Sequence, residues 1–163
     1  MPFPSKAVRR AEAPAPAKTR RYLLFEAGGF RCGLDVRVLR EVTDAPGTPP
    51  AASGPRPFLG SIPVQGGTLP TVDLVALFEG AEPGRAVRRV LIVEAEGRKL
   101  GLLVERTLEI ADLSEASFRA MPAMASRLMP GTVRAVAWQE GGPVFLLDGE
   151  SLGPLLQTAA GDL

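Results

Sequence analysis

Apolar and polar positions alternate in short bursts along most of this chain. Tyr22–Ala27 is an apolar run interrupted by Glu26, and it stops at Gly28-Gly29. From Phe30 the chain alternates apolar and polar as far as Cys32 and continues to Val36. Two such runs joined by a glycine pair predict a β-hairpin. Val36–Val42 places Val38, Leu39 and Val42 at i, i+1 and i+4, the spacing of one face of a short helix. Residues 44–57 carry Pro46, Pro49, Pro50, Pro55 and Pro57 and predict a loop, because proline neither donates to a ladder nor continues a helix. Phe58–Val64 and Thr68–Leu74 flank Gln65-Gly66-Gly67 as a second hairpin, whose Pro63 and Pro70 point to edge positions or bulges. Val75–Glu79 predicts one helical turn.

After a polar break at Gly80–Arg85 the pattern resumes. Val90–Ala95 predicts a strand, Glu96–Arg98 a turn, and Lys99–Arg106 a strand continuing through Ile110. Asp112-Leu-Ser-Glu115 has capping-box spacing, with Ser114 an equally good cap. Met121–Pro130 is irregular. Val133–Gln139 and Pro143–Leu147, joined across Gly141-Gly142, predict a last hairpin. Asp148 is placed to cap a helix whose Leu152, Leu155 and Leu156 form one stripe. This amounts to about eight short strands with turn signals between them and little helix. Hairpin-linked strands build antiparallel sandwiches or barrels. The break near residue 80 divides them into two similar sets, at about 22–79 and 86–158, which predicts two small barrels packed on each other.

Composition narrows the chemistry. Glycine and proline number 18 and 16 in 163 residues, high enough for many turns yet below the low-complexity range. The chain has no histidine and one cysteine. A histidine base, a His–Cys zinc site and an internal disulfide are thereby excluded, and an unpaired Cys32 favours a reducing compartment. No apolar run reaches the ~20 residues that span a bilayer, so membrane insertion is not expected and a cytoplasmic location is. Net charge is +1, of which residues 1–21 hold +5 and the remainder −4. A basic tail suits nucleic acid or an anionic surface. Its Pro/Ala-rich composition, without interleaved aromatics, favours instead a disordered, solvated tail with no packing role.

Catalytic groupings are missing. No Ser–x–x–Lys, G-x-G-x-x-G or phosphate-loop spacing occurs, and the glycine pairs at 28–29, 66–67 and 141–142 sit where turns are required. The acidic residues are spread singly, and Asp73 and Asp148 follow strands where capping is the expected role. No catalytic, metal or cofactor site is expected. Cys32 reads as a small buried apolar residue. Trp138, the lone tryptophan, reads as core or rim packing ahead of a binding anchor. Met121, Met124 and Met129 fit gap-filling under a loop as well as an adaptable contact surface.

The ordered segments Gly33-Leu-Asp-Val36, Leu39-Arg-Glu-Val42, Pro57-Phe-Leu-Gly60, Gln65-Gly-Gly-Thr-Leu-Pro-Thr-Val-Asp-Leu74, Arg89-Val-Leu-Ile-Val93, Leu100–Glu105 and Val144–Asp148 together resemble the CheW family. The resemblance runs from about residue 22 to 156, with Gly66–Leu74 its most specific part. It implies a mainly β fold of two five-stranded SH3-like barrels with a few short helices. The function it implies is that of a non-catalytic adaptor between the signalling tip of a methyl-accepting receptor and the regulatory domain of a CheA-type histidine kinase. By motif, Leu39 resembles a receptor-contact position, with Val38 beside it, and Glu41 an acidic partner-binding position of the same short helix. Gln65 stands where the family usually has arginine in Asn-Leu-Arg-Gly, just before Gly66. The change removes a guanidinium suited to bidentate pairing with a carboxylate. It suggests a diverged member, such as a frizzy-type adaptor, that keeps the receptor while its kinase or lattice contacts weaken. The expected state is a monomer or weak oligomer. The alternative function is binding of nucleic acid or an anionic surface through the tail, which the −4 charge of the remainder opposes.

Overall fold

Among the described residues there come, in order along the chain, β1 (Thr19–Ala27), β2 (Phe30–Asp35), β3 (Leu39–Asp44), β4 (Phe58–Val64), β5 (Gly67–Asp73), β6 (Arg89–Ala95), β7 (Arg98–Val104), β8 (Arg106–Ser114), β9 (Phe118–Arg119), β10 (Ala135–Gln139), β11 (Gly142–Leu147) and the helix α1 (Gly153–Gly161). The structure is a computed structural model and describes residues 18–45, 58–64, 66–75, 89–120 and 132–161. The predicted tail up to Ala17, most of the proline-rich loop, the turn after Val75, the polar break and the methionine-bearing stretch lie outside those residues.

The strands form two sheets. One has six strands in the order β8-β1-β2-β11-β10-β9, the other five in the order β3-β6-β7-β5-β4. The first sheet therefore holds one strand more than expected, the two-residue β9. Each sheet contains one parallel pair, β2 with β11 and β5 with β7. Local sequence gives no sign of a parallel pair, because no turn links its strands.

The division at residue 80 does not separate the sheets. Residues 39–104 supply the whole five-stranded sheet, while the six-stranded sheet takes β1 and β2 from before them and β8 to β11 from after. A repeat underlies this arrangement. Residues 22–42 match residues 90–110 at a constant offset, pairing Glu26 with Glu94, Gly33 with Gly101, Val36 with Val104 and Glu41 with Glu109. Each copy forms a hairpin and then a third strand that crosses to the other sheet. Leu39 of β3 lies opposite Val93 of β6, and the equivalent Thr107 of β8 lies opposite Phe25 of β1. The hairpins β4–β5 and β10–β11 are likewise equivalent: Ile62 opposes Leu69 as Ala137 opposes Val144.

Burial on both faces explains the short apolar runs. In β1, Leu23 and Phe25 face a core shared between the sheets, whereas Tyr22 and Leu24 face the interior of the six-stranded barrel. In β6, Leu91 and Val93 face the shared core, and Val90 and Ile92 the interior of the five-stranded barrel. Leu147 of β11, Leu152 in the turn before α1 and Leu156 of α1 complete the shared core, with Leu155 packed against it, so the predicted stripe docks although its first leucine lies before the helix. A fully buried aliphatic side chain is worth about 1.5–3 kcal/mol, which makes these three clusters the main stabilising term.

Several local expectations change. Val36–Val42 is not a helix: Val36–Val38 form a turn and Leu39 begins β3. The helical spacing was accidental, and three valines in seven residues suit an extended strand better. β1 starts at Thr19, so Arg20 and Arg21, assigned from sequence to the tail, belong to the sheet. The strand after Lys99 breaks at Glu105, where the chain crosses between sheets. Ser114 caps a single 3₁₀ turn, accepting from the Ala116 amide at 3.2 Å. Asp148 and Ser151 bond reciprocally, amide to side chain in each direction, at the turn that leads into α1. Pro63 lies on the edge strand β4. Pro70 lies in β5 just before its ladder with β7 begins at Thr71.

Candidate partner-docking surface

β3 is an edge strand of the five-stranded sheet, paired among the described residues with β6 alone. Its entry turn is held at both sides. The Val36 amide donates to the Arg21 carbonyl at 3.1 Å, and the Glu94 amide donates to the Val38 carbonyl at 2.8 Å. Asp35 fixes the turn from within. Its Oδ1 accepts from the Arg37 amide at 2.9 Å, and its two oxygens take the Arg37 guanidinium at 2.7–3.1 Å. Arg20 Nη1 stands 3.7 Å from Asp35 and its Nε donates to Glu115 at 2.6 Å. Burial alone would push the Asp35 carboxyl up; the Arg37 hydrogen bonds and the two guanidinium charges outweigh it and hold the group below its ordinary range.

Between Leu39 and Glu41 the β3–β6 register slips, so Arg40 is an extra, bulged residue. Its guanidinium turns back onto Glu94 at 3.1 Å and onto the carbonyls of Arg37 and Leu39. Val38 and Leu39 are half-buried against the shared core. Glu41 is exposed and has no ion-pair partner among the described residues. Val42 is 38% exposed on the same edge. Val38, Leu39 and Glu41 are thus brought together, on a turn and strand instead of the predicted helix. Gly66 sits apart, exposed in the β4–β5 turn with φ +91°, and β6, β7 and β5 lie between its strand and β3 in the sheet. Gln65 lies outside the described residues.

Two participants were missed from sequence, Asp35 and Arg37. Comparison of the two repeats was the available signal: Gly33-Leu-Asp-Val-Arg37 corresponds to Gly101-Leu-Leu-Val-Glu105, and the copies differ at those two places. Elsewhere, Cys32 is fully buried, and burial pushes its thiol well above the usual range. Among the described residues no cluster of three or more His, Cys, Asp or Glu could hold a metal, and no helix is long and apolar enough to cross a membrane. Trp138 is 57% exposed, so it is rim, not core.

The profile of the CheW-like domain matches residues 21–155. The chain belongs to the CheW-like family. It is similar to the chemotaxis protein CheW of Rhizobium meliloti (strain 1021), with 30% identity over 138 residues covering 83% of this chain and 88% of that protein. The crystal structure of the scaffolding protein TtCheW from Thermoanaerobacter tengcongensis matches 80% of this chain and 89% of that one, with a TM-score of 0.67 and 23% identity. That likeness shows the shared two-barrel fold. CheW-family proteins are non-catalytic scaffolds, and this CheW-like chain is a chemotaxis adaptor with no enzymatic activity.

Proposed function

We propose that this adaptor couples the signalling tip of a methyl-accepting receptor to the regulatory domain of a CheA-type kinase in the cytoplasm, with the receptor docking at β3. The observation that carries the proposal is the combination at one unpaired strand edge. Leu39 is half-buried and supported by the core, Val42 is exposed beside it, and Glu41 carries an uncommitted charge among the described residues. An apolar ridge with adjacent charge fits one face of a helical hairpin. Gln65 in place of the family's arginine supports a kinase contact weaker than the receptor contact. The tail reading loses ground, because Glu115 and Asp112 pair with Arg20 and Arg21, two of the six cations in residues 1–21.

Calorimetric titration of the purified chain against the receptor-tip hairpin and, separately, the kinase regulatory domain tests this. Leu39→Ala and Glu41→Lys are expected to weaken receptor binding about tenfold or more, and Gln65→Arg to tighten kinase binding. Receptor binding indifferent to both β3 substitutions would remove the assignment of this edge.

A further inference from the structure

Beside the β3 turn a cleft of about 580 Å³ opens along the start of β1, lined by the cations Lys18, Arg20, Arg21 and Arg37 and by the acids Asp35 and Glu115. The acids are spent on particular partners. Glu115 holds Arg20, and Asp35, with 3% of its side chain exposed, holds Arg37 by Nε and Nη2. Arg21 is taken by Asp112 from β8. Two cations lining the cleft keep open donors among the described residues. One is Lys18, which has no ion pair. The other is Arg37, whose Nη1 has no acceptor and whose side chain is 67% exposed. At the same edge Arg40 is occupied by Glu94 and two carbonyls, and Arg89 by Asp44.

The repeat supplies an internal comparison. At the second crossing, Leu103 replaces Asp35 and Glu105 replaces Arg37, while the neighbouring Gly, Leu and Val are unchanged. A chain can therefore cross between the sheets without the Asp35–Arg37 pair. The second crossing has its own exposed guanidinium, Arg106, but that one is held by the half-exposed Glu26, whereas at the crossing into β3 the direction of Arg37 is set by a buried carboxylate. A fixed guanidinium with one free edge recognises a carboxylate with little further ordering.

We propose that this cleft is a second half of the docking surface, in which Arg37, aimed by Asp35, and Lys18 receive acidic side chains of the same partner helix that lies on β3. Arg37 is then a specificity-determining contact and Asp35 its positioning residue. The inference rests on the receptor-docking proposal above.

The test is titration of the receptor-tip hairpin into the wild-type chain and into Arg37→Gln, Arg37→Lys, Arg37→Glu and Lys18→Gln, at low and at ~300 mM salt, with Arg98→Glu at the start of β7 as a charge-matched control. Arg37→Glu is expected to weaken binding tenfold or more at low salt. Arg37→Gln and Lys18→Gln should each lose several-fold, Arg37→Lys should recover part of the Arg37→Gln loss, and Arg98→Glu should do nothing. The differences should shrink at high salt, since exposed charges are screened. Amide exchange at Val38 and Leu39 shows whether a variant has lost the turn itself. Equal weakening by Arg37→Lys and Arg37→Gln, or binding by Arg37→Glu at the wild-type level, overturns the cleft while leaving β3 docking intact. A wild-type chain that binds no receptor tip at either salt overturns both.

Discussion

Gly33 and Gly101 occupy the same place in the two barrels. Each lies on the second strand of its repeat hairpin, opposite a residue of the parallel neighbour: Leu146 for Gly33 and Thr71 for Gly101. Each leaves out a side chain where the barrel interior is closing. The two sites differ in what a methyl group would meet. At Gly101 an added Cβ would come within 2.9 Å of Thr71 Cγ2, and Thr71 is pinned because its hydroxyl donates to the Gly60 carbonyl at 3.1 Å. At Gly33 the nearest atoms are the Cδ2 ends of Leu146 and Leu24, at 3.2 and 3.3 Å, which can turn aside. Gly101→Ala is therefore expected to destabilise by about 2–3 kcal/mol and Gly33→Ala by about 1 kcal/mol or less. Urea unfolding with unchanged m-values measures both.

Glu96 has φ +55° in the β6–β7 turn, where the equivalent residue of the β1–β2 turn is Gly28 at φ +63°. A side chain in the left-handed region costs about 1–2 kcal/mol, part of which glycine returns as unfolded-state entropy. Glu96→Gly should stabilise by about 0.5–1 kcal/mol and raise Tm by roughly 2–3 °C. Thermal unfolding followed by circular dichroism decides it, and a lowered Tm would show that the glutamate makes a compensating contact.

The Asp35 carboxyl is held below its ordinary value of 3.8 despite its burial, because Arg37 and Arg20 favour the charged form. A depressed folded-state pKa contributes stability that is present above the ordinary value and is lost as pH falls through the folded one. Wild type should therefore exceed Asp35→Asn in stability at pH 6, with the gap narrowing below about pH 4. A gap independent of pH from 6 to 3 would mean that the Asx turn, not the charge, is what the carboxyl contributes.

Cys32 is fully buried, and its thiol is pushed far above the range in which thiolate forms at neutral pH. A maleimide or disulfide reagent at pH 7.5 is expected to label it only through unfolding. The labelling rate should then follow denaturant in step with global unfolding, and fast labelling of native protein would reveal local opening of β2.

The hairpins could be read from sequence because each is closed by its own glycine turn, a local instruction. The partners of β3 and β8 could not. Nothing in Leu39–Asp44 indicates that it pairs with β6 across 50 residues, and this placement of third strands made the halves look like separate barrels. The same gap produced the false helix over Val36–Val42, since an edge strand with one half-buried face can mimic helical spacing. Leu39 and Glu41 lie on strand β3 and not on the predicted helix. Arg37 escaped notice because a lone surface arginine carries no signal until a buried carboxylate is seen to aim it.

Neither half of the chain contains a partner for its own third strand, and all three apolar clusters draw on both halves. The protein has the connectivity of two copies of one unit that have exchanged arms, as swapped dimers do. Because the two halves are one chain, what would be an association of two subunits is an intramolecular step at high effective concentration. Severed between Val75 and Arg89, the pieces would be mutually dependent fragments, each incomplete alone and restored by the other, which makes this position suited to a split-protein reporter.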